Sequence, residues 1–157
     1  MRWAAAALLA LAAAACAPSL PPPDGRAWVL RARSHMEAER FEDAANAYEK
    51  GLAASRKVAA DPQVWCELAD AIGMAQGGSL RGRPRELVSR ALYLNPRHPR
   101  ALEMAGSAAY EAGEYWLAES YWQTLLEQVP PESSTHRELV GAIERSRRNA
   151  VPATFVP

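Results

Sequence analysis

The 157 residues are one domain's worth of chain, with 49% hydrophobic and 23% charged side chains. Its 18 basic residues are matched by 18 acidic ones, so no electrostatic footprint argues for nucleic acid. The two cysteines and three histidines lie in separate segments without metal-ligand spacing, and the acidic residues are scattered as on solvated helix faces.

In chain order, MRWAAAALLALAAAAC carries one positive charge, at Arg2, before an apolar run. This reads as a secretory signal peptide over residues 1–15, too short for a mature membrane span. Ala13, Ala14 and Ala15 before Cys16 resemble a bacterial lipobox, in which the cysteine is lipidated after cleavage. The same stretch also fits ordinary cleavage after an A-x-A site. Loss of residues 1–15 would leave 17 basic against 18 acidic residues, a net charge of −1. A lipidated Cys16 leaves Cys66 as the one thiol, so no intramolecular disulfide can form. The predicted location is the bacterial periplasm, with membrane attachment through the lipid. Residues 16–25 hold the proline-rich APSLPPPDG and read as a tether.

Residues 26–60 and 98–131 share one pattern. Pro130 falls 34 residues after Pro96, and a 34-residue period of helix–turn–helix units with a closing proline is the spacing of the tetratricopeptide repeat, TPR. In residues 98–131, Leu102, Ala105, Gly106, Gly113, Tyr115, Ala118 and Trp122 take the pattern's key places. Gly106 is expected where two helices cross closely. In residues 26–60, Trp28, Ala32, Phe41, Ala44, Tyr48 and Leu52 match, while Arg31 and Glu39 replace the usual leucine and glycine. No proline closes this unit, so its second helix is predicted to run on through AASRKVAA to Asp61-Pro62. That pair suits the N-cap and first turn of the next helix.

Residues 61–97 form the second repeat, with Trp65, Leu68 and Ala69 in register and three residues inserted at MAQGGSLRGRP. Gly77, Gly78 and Gly82 mark the inserted loop, and Pro84 restarts a helix. Trp28, Trp65 and Trp122 are expected in the core, and Trp116 at the surface. Residues 132–148 read as a polar-faced capping helix, with Thr135 and Glu138 at capping-box spacing, and 149–157 as a loose tail. The predicted fold is all-α: a right-handed solenoid of about three helix hairpins plus a C-terminal cap.

Residues 69–96, ADAIGMAQGGSLRGRPRELVSRALYLNP, and the following HPRALEMAGSAAYEAGEYWLAESYWQTLLEQVPPES resemble the tetratricopeptide domain of cytochrome c biogenesis proteins. The glycine-rich loop, the ALYLNP-RHPRAL junction, the AGSAAYEAGEY turn and the YWQTLLEQVPP ending carry the likeness, which covers about residues 61–148. It implies a module that holds unfolded apocytochrome c by its C-terminal segment and presents it to haem-ligation subunits. Family members usually carry two transmembrane helices and a cytoplasmic loop before this domain; here a signal sequence stands in their place.

No C-x-x-C-H, C-x-x-C, phosphate loop or H-E-x-x-H is present, so neither catalysis nor a bound cofactor is expected. The first helix of each repeat should line a concave face. The inward positions there nominate Arg33, Met36, Cys66, Asp70, Met74, Arg100, Glu103, Ser107 and Tyr110 as peptide-binding residues. Val29, Glu37, Gly73 and Glu111 share those positions. Methionine beside charges of both signs suits an amphipathic helix better than a metabolite. A scaffold for another envelope complex, such as pilus or outer-membrane assembly, is the alternative.

Overall fold

A computed structural model describes residues 24–150, which form α1 (Gly25–Glu37), α2 (Phe41–Ala54), α3 (Arg56–Ala59), α4 (Pro62–Ala75), α5 (Arg83–Leu94), α6 (Pro99–Glu111), α7 (Tyr115–Leu126) and α8 (Ser134–Ala150). No strand occurs among the described residues. The expected signal peptide, Cys16, most of the expected tether and the residues after Ala150 lie outside them. No helix among them is long and apolar enough to cross a membrane.

Three hairpins, α1–α2, α4–α5 and α6–α7, stack in order, and α8 packs on α7. Each opens on a side-chain cap, of which only Asp61 was expected. The Asp24 carboxylate accepts from the Ala27 amide at 2.8 Å, so α1 begins at Gly25, inside the expected tether. Asp61 accepts from Gln63 at 2.9 Å ahead of Pro62. The His98 Nδ1 accepts from Ala101 at 3.3 Å ahead of Pro99.

The first helix of every hairpin ends in one turn geometry. Arg40 N–H reaches His35 O, Gly78 reaches Gly73 O and Glu114 reaches Ala109 O, at 2.8–2.9 Å. The residue before each takes positive φ: Glu39 at 55°, Gly77 at 73° and Gly113 at 77°. This is the left-handed stop of a helix, which glycine adopts freely and other residues adopt at a cost. Glu39 therefore holds a glycine's conformation. Glu39→Gly should stabilise the fold by about 0.5–1 kcal/mol, the left-handed penalty less the entropy of a freer unfolded chain. A melting temperature equal to or below the wild type's would refute this.

The predicted run-on of α2 does not occur. Ser55 is extended (φ −147°), breaks the helix after Ala54, and accepts from the Val58 amide with its Oγ to cap the one-turn α3. A serine's side chain competes for the backbone at such a point, which the apolar flanks concealed. The capping box Thr135–Glu138 is likewise unused: Ser133 Oγ accepts from His136 N–H at 3.0 Å, and α8 starts one residue before Thr135.

The core is built on small residues. Ala32, Ala44, Ala69, Ala71, Ala91, Ala101 and Ala118 are fully buried and let the helix axes approach closely. One apolar cluster runs through the first two repeats into α6, where Ala101, Met104 and Ala105 join it, and a second fills α6, α7 and α8; Leu92 and Tyr121 pack against both. Trp122 is buried as expected, while Trp28 and Trp65 pack against the first cluster but stay partly exposed. Arg31 and Lys50 lie over the Trp28 ring, each 4.8 Å from its centre. The Trp65 indole donates to Ala59 O at 2.9 Å, so its polar edge faces the α3 turn. Trp116 is 71% exposed, as expected.

Candidate peptide-binding groove

Ion pairs stitch each repeat to the next. Arg33 donates to Glu67 through two nitrogens (2.9 and 3.1 Å), joining α1 to α4. Arg100 donates to both oxygens of Asp70 (2.6 and 2.8 Å), joining α6 to α4, and to Glu103 on its own helix at 2.9 Å. The pairs Glu49–Arg83, Arg85–Glu114, Arg97–Glu127 and Glu119–Arg147 continue the series away from these positions. The bond to Glu67 raises the Arg33 pKa further. Burial opposes the Arg100 charge, yet the bonds to Asp70 and Glu103 leave its pKa above the ordinary value. Such pairs are part-exposed and set register between repeats more than they stabilise them.

The nominated inward residues therefore divide. Arg100, Glu103, Ser107 and Tyr110 line one groove together. Arg33 lines a separate cavity at the other end of the solenoid. Asp70 is consumed by Arg100. Met36 packs against the first core cluster, and Met74 is 49% exposed on α4, but neither lines the groove or the Arg33 cavity.

Cys66 must be withdrawn from the binding set. It is fully buried, with its Sγ 4.0 Å from His98 Nδ1, and no ligand can reach it. Burial pushes the thiol up to about 12, so it stays protonated and inert at neutral pH. Alkylating reagents at pH 8 should leave Cys66 intact in the folded protein and modify it only after denaturation. Stoichiometric labelling of the native fold would contradict its burial.

The groove itself encloses about 720 Å³ between α6 and α8, over α7. Trp122, Leu125, Val129, Leu139 and Ala142 give it apolar walls, and Arg100, Glu103, Glu111, Glu138 and Arg145 stand around them. Tyr110 packs edge-on against Tyr115, with ring centres 5.3 Å apart, and 5.9 Å from the Trp122 ring. Its hydroxyl accepts from Asn149 Nδ2 at 2.7 Å, tying the C-terminal end of α6 to that of α8. Among the described residues Glu138 and Arg145 make no ion pair, so their charges face the groove free. They lie seven residues apart on α8, about 10 Å along the helix.

More than half of the groove's lining comes from α7, α8 and the connection between them, beyond the first-helix positions expected to bind. The α8 part of that wall is legible in the helical spacing of Thr135, Glu138, Leu139 and Ala142, residues expected only to form a cap. Glu111 has a second task. Its carboxylate accepts from the Leu80 amide and the Ser79 hydroxyl, each at 3.1 Å, and its backbone carbonyl accepts from Arg81. The inserted glycine-rich loop is thereby pinned to the end of α6. Among the described residues no cluster of His, Cys, Asp and Glu could hold a metal ion.

Comparison with known proteins matches the architecture. The family described as the cytochrome c-type biogenesis protein H TPR domain matches residues 19–136. A cytochrome c-type biogenesis protein CycH of Pseudomonas aeruginosa is 28% identical over 136 residues, covering 87% of this chain and 33% of that protein. Its counterpart in Bradyrhizobium diazoefficiens is 28% identical over 132 residues, covering 84% of this chain and 35% of its own. The chain thus spans about a third of the length of these relatives. Among solved structures, the Sgt2 TPR domain of Aspergillus fumigatus superposes with a TM-score of 0.66 at 19% identity, covering 87% of this chain and 91% of that one. The TPR2B domain of yeast Sti1, solved as a complex with pHsp70, gives 0.65 at 15% identity over 79% of this chain and 96% of that one. These two establish the fold as a TPR solenoid. With a family match spanning three whole hairpins, the chain belongs to the TPR-domain family of cytochrome c-type biogenesis protein H.

Proposed function

We propose that this chain is a non-catalytic protein-holding module of c-type cytochrome maturation, whose groove receives the C-terminal segment of unfolded apocytochrome c. The observation that carries the reading is the groove between α6 and α8, apolar along α7 and edged by charges of both signs. An amphipathic helix fits such a surface, apolar face down and polar face against the rims. Family membership supplies the pathway. The client's apolar face is free before haem attachment and hidden in its own core afterwards, so folding of the client releases it without an energy source here. The Arg100 guanidinium, already held by Asp70 and Glu103, acts as a fixed edge, while Glu138 and Arg145 take opposite charges on the client. Haem-ligation subunits are the natural recipients. A lipid on Cys16, with residues 1–15 removed, would place the module at the periplasmic face of a membrane.

Calorimetry with a synthetic peptide of a cytochrome c C-terminal helix tests this. Binding should carry a negative heat-capacity change, from burial of apolar surface. The apo-cytochrome should bind and the holo-cytochrome should not. Equal binding of both forms, or binding of neither at micromolar concentration, would replace this reading with a scaffold for another envelope assembly.

A further inference from the structure

The cavity at the opposite end of the solenoid has a different character. It encloses about 540 Å³ between α1, α3 and the first turn of α4. Val29, Val58 and Val64 are its buried apolar lining, and Leu30 stands beside them 65% exposed. Three cations, Arg26, Arg33 and Lys57, border it against one carboxylate, Asp61, which is occupied in capping α4. Arg33 is held by Glu67, but Arg26 and Lys57 form no ion pair among the described residues.

The break at Ser55 makes this cavity. A continuous α2 would have no separate α3; instead the short helix carries Lys57 and Val58 over the start of α1. A Cβ placed on Gly25 would meet Val58 Cγ2 at 3.1 Å, so α3 sits directly against the first residue of α1.

We propose that the cavity is a second docking site, for an acidic peptide segment of a partner protein bearing at least one large apolar side chain. The valine lining takes the apolar side chain out of water. The two unpaired cations, with the outer edge of Arg33, take carboxylates on either side of it. Arg26 and Arg33 are two helical turns apart, roughly 10 Å along α1, so the positive charge is spread along the cavity rather than gathered for one phosphate. Buried valines in a concavity cannot meet a flat bilayer, which argues against an anionic lipid surface. None of these residues lines the groove at α6–α8, so both sites can be filled at once, and the site stands whether or not the client reading holds.

A fluorescein-labelled hexapeptide, Asp-Glu-Leu-Phe-Glu-Asp, titrated into the full chain is a direct probe. It should bind, shift the methyl resonances of Leu30, Val58 and Val64, and weaken as salt rises. The double variant Arg26→Ala/Lys57→Ala, at two exposed positions, should melt like the wild type and bind at least tenfold more weakly. The same peptide with lysines for its four acids should not bind, and phosphatidylglycerol vesicles should not compete. Absence of binding at millimolar peptide overturns the proposal. So does binding that the double variant retains, binding that leaves those methyls unmoved, or displacement by the vesicles.

Discussion

Gly106→Leu should unfold the third repeat's packing, lowering stability by about 3 kcal/mol and the melting temperature by about 10 °C. A Cβ at this position would lie 2.5 Å from Trp122 Cδ1 and 2.6 Å from Cε2, nearer than real Cβ contacts come. Trp122 is buried and cannot simply swing away, because Leu102, Ala109 and Leu139 share its cluster. Even Gly106→Ala should therefore be costly, and the loss should shrink when Trp122 is first cut to leucine. That coupling, read from a double-mutant cycle, separates a clash with the indole from a general helix effect. Wild-type melting of the leucine variant would break the assigned register of α6 against α7.

Tyr110→Ala should weaken binding of the client peptide about tenfold while leaving the fold intact. Tyr110 is half-buried, braced by the Tyr115 and Trp122 rings, and presents its remaining face to the groove. A rigid aromatic at the inner end of a groove is the usual kind of binding anchor. Its hydroxyl also ties α6 to α8 through Asn149, so Asn149→Ala is the needed comparison. If both variants lose the same affinity, Tyr110 acts by closing the groove's end. If only Tyr110→Ala loses it, the ring touches the client. Unchanged affinity in the tyrosine variant would remove it from the site.

Local chemistry written in short stretches was legible without the fold. The 34-residue spacing placed the hairpins, because each repeat must present the same small and large residues to its neighbour. Asp61-Pro62 announced the start of α4, and Gly77, Gly78 and Gly82 announced the inserted loop by needing positive φ. Gly106 was readable as a crossing point for the same local reason. Glu39 was readable as a departure from the pattern, though only its φ of 55° reveals that the backbone kept the glycine's shape.

What the sequence by itself determined is the repeat register, and with it the order of helices and the identity of the turns. Tertiary structure alone decided which inward residues are free. Arg33 and Arg100 looked available to a ligand, but partners about one repeat away, Glu67 and Asp70, already hold them, and such pairing depends on how the hairpins stack. Cys66 shares the inward positions of its neighbours yet is sealed off beside His98, because the α4–α6 contact closes over it. The groove itself needs the packing of α8 on α7, set by contacts too distant in sequence for any periodicity to show. A helical period fixes which way a side chain points along its own axis; only the neighbouring helix decides whether anything is left there to bind.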